Sequence, residues 1–329
     1  MHHRLPSRRA LLLGLAAGAA LPALPHPARA ETWPAKPIKV VVPFGAGSSA
    51  DIVPRIVMEQ LSAQLGQPIV IENRPGGGST TGTAAVAKAD ADGYTLLATS
   101  SAYSVTPAIY HNLSYDPVKD MVPVATFGSA NSVLIVAANA PYNTLAEFVA
   151  AAKAKPGAFN FASVGVGSAV HMAAERFRVA AGYEAAHVPF KSGSEGLTEV
   201  MAGRIDYYFC PSNTALPFIR EGRLKALAVS PKKRLAALPD VPTTTEAGFP
   251  NSDYQSWLGL LAPARTPPQI LSRLHVEIGK AVDADSVKSR FIANGVEPMP
   301  LTQAQFQDTI IAEIKANREL AKILAIKGN

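Results

Sequence analysis

A short β-branched run, a turn of glycine and serine, then an amphipathic helix: this unit recurs along the chain and leaves few architectures open to it. Ile38-Lys39-Val40-Val41-Val42 reads as a buried strand. Pro43 to Asp51 is a turn of small residues. From Asp51 to Leu65 apolar side chains recur at helical spacing (Ile52, Ile56, Val57, Leu61, Leu65), and Gly66 suits the left-handed position that closes a helix. Ile69 to Glu72 is a second strand and runs into the loop Asn73 to Gly78. Thr80 to Ala89 is helix-compatible, and Tyr94 to Thr99 is a third strand. Such alternation predicts the α/β class, with mostly parallel sheets flanked by helices.

A second set begins at Ser132 to Ala137. Its helix, Thr144 to Lys153, opens on Thr144 with Glu147 three residues on, a capping box. Strands are expected at Phe159 to Ser163, His187 to Phe190, Arg204 to Phe209 and Leu224 to Val229, and helices from Ala169 to Ala181 and up to Ala202. The region from Pro267 to Leu324 reads as largely helical. A chain of 329 residues is long for one core. Two such sets predict two lobes, residues 31–131 with 254–329 as lobe one and 132–253 as lobe two. The chain would cross between them near Val122 to Ser132 and near Tyr254 to Ala262.

The first thirty residues read as an export address. Arg4, Arg8 and Arg9 precede an apolar stretch, Ala10 to Leu24, and Ala28-Arg29-Ala30 offers a small-x-small cleavage pattern that predicts a mature start at Glu31. Ser7-Arg8-Arg9 also resembles a twin-arginine signal, so the export route stays open. Removing this segment takes four arginines and no acid from the formal charge of +6, leaving 27 basic and 25 acidic side chains. With that near-balance, and no basic run interleaved with aromatics, a nucleic-acid partner has no support. Cys210, the single cysteine, excludes an internal disulfide and a cysteine-rich metal site. It reads as a small core residue, as Tyr207, Tyr208 and Phe209 read as strand packing and Trp257 as packing at a crossing.

Four Gly- and Ser-rich loops follow strands and open helices: Gly45 to Asp51, Thr99 to Ser104, Val164 to His171 and Lys191 to Gly196. In open α/β sheets ligands sit beyond the carboxyl ends of the strands. Helix N-termini there offer unpaired N–H groups and a positive dipole end, which suit a carboxylate without any arginine clamp. Other readings are thinner. Gly45-Ala46-Gly47-Ser48-Ser49-Ala50, with Glu72 beyond, fits a loose dinucleotide fingerprint. His171 and Glu175 stand four apart on a helix, but two ligands without a third make a poor metal site. Ser168, His171 and His187 would make a hydrolase triad on paper only. No Walker loop or nucleophile elbow is present.

Trp33-Pro34-Ala35-Lys36-Pro37-Ile38, followed by Val41-Val42-Pro43-Phe44 and a Gly-rich turn ending in Asp51, resembles the opening of the Bug family, the extracytoplasmic solute receptors of tripartite tricarboxylate transporters. Glu72 to Gly77, Asp92-Gly93-Tyr94-Thr95-Leu96, Val188-Pro189-Phe190-Lys191, Gly222 to Val229, Asp240 to Thr243 and Glu246 to Phe249 continue the resemblance in order along the mature chain. Three positions depart from the family pattern: Ser48 in place of the second glycine of the first turn, Ser192 in place of glycine, and Cys210-Pro211 in place of Asp-Asn.

The resemblance implies a two-lobed periplasmic binding protein of the Venus-flytrap kind, not an enzyme, with no cofactor and no metal. It would be a monomer that captures a di- or tricarboxylate, an acidic amino acid or an aromatic acid, with transporter membrane subunits as partners. Carried onto this chain, it points to Phe44, Ser48, Ser49, Ala50 and Asp51, with Ser100 and Ser101, in lobe one. In lobe two it points to Gly165, Gly167, Ser168 and His171, with Phe190 and Lys191. A secreted α/β hydrolase using Ser168 or His171 is the alternative.

Overall fold

The computed structural model describes residues 33–110 and 112–324, so the expected export segment and its cleavage site lie outside the described residues. From Lys36 onward the described residues form one compact unit. No helix among the described residues is long and apolar enough to cross a membrane.

Two sheets organise the compact unit. The first has the order β11-β4-β10-β3-β1-β2, from β1 (Ile38–Val42), β2 (Ile69–Asn73), β3 (Thr95–Ser100), β4 (Met121–Ala130), β10 (Trp257–Pro263) and β11 (Val296–Glu297). The second has the order β7-β6-β8-β5-β9, from β5 (Ser132–Ala137), β6 (Phe159–Ser163), β7 (Ala185–Pro189), β8 (Tyr207–Pro211) and β9 (Leu224–Val229). The α/β class holds, and both sheets are mixed. β1 pairs in parallel with β2 and β3, and β6 with β7 and β8, whereas β10 runs antiparallel to β3 and β4, and β5 antiparallel to β8 and β9.

The strands that carry the chain from one sheet toward the other are the antiparallel ones. β4 fills the stretch expected to be a crossing and leads through Asn131 into β5. Hydrogen bonds tie these passages together, Ser212 N–H to Asn131 O at 3.0 Å and Tyr254 N–H to Ser230 O at 2.7 Å.

The helices are α1 (Ser49–Leu65), α2 (Thr80–Ala87), α3 (Ala102–Ile109), α4 (Leu145–Ala154), α5 (Ala169–Ala181), α6 (Gly193–Met201), α7 (Ser212–Arg220), α8 (Pro268–Asp283), α9 (Asp285–Ala293) and α10 (Gln303–Leu324). Gly66 closes α1 at φ 67°, and Thr144 opens α4 with both halves of its capping box formed. α7 and the separate α9 are not distinguished by the sequence pattern.

Each sheet has its own apolar core. Val41, Leu97, Trp257 and Phe306 are buried together beside the first, and Trp257 meets the edge of Phe306 at 4.8 Å between ring centroids. Phe148 centres an aromatic cluster on the second, edge-on to Tyr142, Phe159, Tyr183 and Tyr207. Val105, Ala108 and Ile109 of α3 and Ala321 of α10 are buried against this second core. These two helices therefore join the packing of the first sheet to that of the second.

Candidate binding cleft

The carboxyl ends of β1, β2, β3 and β6 open onto one cavity of about 280 Å³. From the first sheet come the turn Pro43 to Gly45, the loop Pro75 to Ser79 and the face of α3 that bears Ala102, Val105, Thr106 and Ile109. From the second come Val164, Val166, Gly167 and Ser168. A groove of about 900 Å³ lies elsewhere, between Tyr110 to Val118 and the last turns of α10. It is larger but touches no strand end.

The first turn is held by a buried carboxylate. Asp51, on the first turn of α1, accepts the Gly47 N–H at 2.9 Å, the Asn73 amide at 2.8 Å and the Arg55 guanidinium at 3.0 Å. The same Asn73 amide reaches Phe44 O at 3.0 Å. Burial alone would raise the Asp51 carboxyl, but the hydrogen bonds from Arg55, Asn73 and Gly47 outweigh it and hold it below the usual range. Asp51 thus occupies the positive end of α1 with a charge of the protein's own.

The second loop needs its glycines. Gly76, Gly77 and Gly78 have φ of 137°, 52° and 59°, and Ser79 follows at 83°. A Cβ on Gly78 would stand 2.7 Å from the Tyr110 ring. The buried Ser79 hydroxyl lies 3.1 Å from that of Thr106, which donates to Gly78 O or Ala102 O, each at 2.9 Å. This bond fastens the loop to α3.

On the other side, Ser168 caps α5 by accepting the His171 N–H at 3.3 Å and donates to Gly165 O at 2.7 Å. His171 Nδ1 accepts the Gly167 N–H at 3.2 Å, so that nitrogen carries no proton. Burial, reinforced by neighbouring His187 and Arg178, lowers His171 to about 3. His187, lowered to about 4 by burial, lies beside it with ring centroids 4.1 Å apart and planes tilted by 35°, and its Nε2 is 2.6 Å from Ser163 Oγ. Ser163 is 1% exposed and is not part of the cavity wall. The side chains of Ser168 and His171 are each turned to the backbone of their own loop and share no hydrogen bond with one another.

Of the residues expected at the site, Phe44, Gly167 and Ser168 line the cavity. Asp51, His171 and Gly165 lie directly behind the wall, holding the turns that form it. Ser48 donates its hydroxyl to Gly45 O at 2.9 Å, and Ser49 and Ala50 form the first turn of α1. Ser100 ends β3 and accepts the Ala102 N–H at 3.4 Å. Ser101 is buried against Tyr254 at 3.2 Å and Ser256 at 3.0 Å, a contact with the crossing segment rather than with the cavity. Phe190 packs near Gly196 beside the second core, and the exposed Lys191 gives its N–H to Glu195 at 3.3 Å. Sequence reasoning did not single out the wall of Pro75 to Ser79, nor Val105, Thr106 and Ile109, and it took in Val164 and Val166 only as part of the loop Val164 to His171. The run Gly76-Gly77-Gly78 was the available signal for the first of these.

Elsewhere the residues read as packing are packing. Tyr207, Tyr208, Phe209 and Cys210 are fully buried in β8, and burial pushes the Cys210 thiol up. His171 Nε2 and Glu175 Oε1 are 3.9 Å apart, while Glu175 binds Arg178 at 2.7 Å. No group of three or more His, Cys, Asp or Glu that could hold a metal occurs among the described residues.

The model of the tripartite tricarboxylate transporter family receptor matches residues 53–326. BugT of Bordetella pertussis is 34% identical over 291 residues, 88% of this chain and 89% of that protein. R. palustris Rpa4515, solved with adipate, is 29% identical with a TM-score of 0.79, covering 90% of this chain and 99% of that one. MatC of Rhodopseudomonas palustris, solved with bound malate, is 30% identical with a TM-score of 0.76, covering 88% and 99%. The two-lobed α/β fold is that of periplasmic binding proteins. These relatives are solute-binding receptors, not enzymes. The chain belongs to the Bug family, the receptors of the tripartite tricarboxylate transporter family.

Proposed function

We propose that this chain is an exported receptor that takes up a small organic carboxylate in the cleft between two lobes, residues 31–131 with 254–329 and residues 132–253. The observation that carries this is the convergence of four strand ends from both sheets on one cavity of about 280 Å³, a volume suited to a small acid. The adipate and malate seated in its two relatives support a carboxylate as the ligand class. The lobes would rotate about the β4–β5 and Ser230–Tyr254 passages, and closure would exclude water and strengthen the ligand's hydrogen bonds. Export to the periplasm follows cleavage after Ala30. The filled, closed monomer would be the form that membrane subunits of a tripartite transporter accept.

Thermal denaturation of residues 31–329, unfolded and refolded to strip bound solute, tests this against a panel of carboxylates. An acid at 100 times its dissociation constant adds about 2.7 kcal/mol. For a chain of this size that raises the midpoint by roughly 5–10 °C. A well-folded protein whose midpoint no acid moves would refute the proposal.

A further inference from the structure

A separate cavity of about 360 Å³ lies beside the Ser230–Tyr254 passage and shares no lining residue with the cleft. Arg176 of α5 and Lys232, just beyond β9, reach it from the second sheet's half. Glu313 and Asn317 of α10 reach it from the first, and Asp253 to Gln255 form the passage itself. Asn317 is the residue that calls for an occupant. The buried stripe of α10 is Phe306, Ile310, Ile314, Asn317 and Ala321, apolar but for that one amide. Asn317 is 6% exposed, and among the described residues its side chain has no hydrogen-bond partner. A buried amide left unpaired costs about 1–3 kcal/mol, and asparagine is a poor helix former. Packing gives no reason for it, but it lines the cavity, where a bound molecule would supply the partner.

Both signs of charge meet in the same wall. The Arg176 guanidinium makes one hydrogen bond, from Nε–H to Asn251 O at 3.2 Å, and no ion pair with any described residue. The exposed Lys232 and the half-buried Asp253 have no side-chain partner among the described residues, and neither has the Gln255 amide. Glu313 is engaged, accepting the Trp257 indole N–H at 2.8 Å. A dicarboxylate placed here would face Asp253, and a simple amine would face Arg176 and Lys232. A molecule that carries an ammonium and a carboxylate close together answers both sets with charge-assisted hydrogen bonds. The volume is within the range of small-molecule sites.

We propose that this cavity is a second binding site, distinct from the cleft, for a small zwitterion of the α-amino acid kind. Arg176 and Lys232 hold its carboxylate, Asp253 holds its ammonium, and the amides of Asn317 and Gln255 complete the set.

Calorimetric titration of residues 31–329, unfolded and refolded to strip bound solute, tests this with L-alanine and L-glutamine. Propanoate and ethylamine, which lack the ammonium and the carboxylate of alanine, are the controls. The expected result is that an amino acid binds and that both controls bind at least tenfold more weakly. Asn317→Leu should weaken the amino acid about tenfold. Lys232→Ala and Asp253→Asn should weaken it about threefold each, with folding checked by circular dichroism. Lys232 is exposed, so its variant reads the site even where Asn317→Leu repacks α10. Gly167→Ala, which alters the cleft, should leave the amino acid's affinity unchanged. No binding of either amino acid by the folded protein overturns the proposal, as does propanoate bound as tightly as alanine. Binding lost in Gly167→Ala but unaltered in Asn317→Leu and Lys232→Ala puts the amino acid in the cleft and overturns it too.

Discussion

Gly167, in the loop after β6, packs directly on Ile109 at the end of α3: a Cβ at position 167 would stand 2.7 Å from Ile109 Cδ1. The glycine also sits at φ 78°. This contact brings a loop of the second sheet against the cleft wall of the first, and it leaves no room for a side chain.

Gly167→Ala therefore meets a steric conflict and a backbone penalty of about 1 kcal/mol together. The expected outcome is a folded protein whose affinity for its acid falls at least tenfold by calorimetry. Affinity equal to the parent's would show that the loop does not close on α3 when ligand binds.

Asp51 is expected to act through the turn it holds rather than by touching ligand. Asp51→Ala removes the acceptor shared by Gly47, Asn73 and Arg55. Urea denaturation should show a loss of about 1–3 kcal/mol, and binding should weaken at pH 7. An unchanged denaturation midpoint with weakened binding would instead mark Asp51 as a direct contact.

His171 and His187 make the fold sensitive to acid. Both are held neutral, at about 3 and about 4, below the usual histidine value. As pH falls from about 6.5 toward 4, the unfolded chain takes up protons that the folded one refuses, so their effect is to lower stability, by at most about 1.4 kcal/mol per pH unit for each histidine. Denaturant titrations at pH 7 and 4.5 should show a smaller acid loss in His187→Asn than in the parent. Equal losses in the two would contradict the assignment.

Glu313 pulls the other way. It accepts the Trp257 indole N–H at 2.8 Å, and burial raises it to about 7 against the opposing effect of that bond. Its folded value lies above its unfolded one, so its contribution is complete below about pH 4.5 and is lost as pH rises through 7. Glu313→Gln keeps an acceptor for Trp257 and should flatten the loss of stability between about pH 4.5 and 7. A slope as steep as the parent's in that window would place the loss elsewhere.

How far the sequence could be read follows from what each residue depends on. β1, α1 and α4 were legible because local chemistry alone decides them: β-branched runs, helical spacing, Gly66 and the Thr144–Glu147 box. β4 was not, because Pro123, Gly128 and Ser129 interrupt its apolar pattern and its pairing with β10, more than 120 residues away, is not written locally. The same holds for the cleft. Loops such as 43–45 and 163–168 carry their glycines and serines openly. The valines of the wall look like any other valines until the second sheet is set opposite α3. Family resemblance pointed to Ser101 and His171, but only geometry separates a residue that lines the cavity from one that holds its wall.

Hydrogen–deuterium exchange of stripped residues 31–329, with and without a saturating carboxylate, tests the central claim most directly. The account predicts added protection at residues 43–47, 76–79, 102–109 and 163–168 together, because one acid bridges loops of both sheets. Protection confined to the groove between Tyr110 and Lys322, or to one sheet alone, would contradict it.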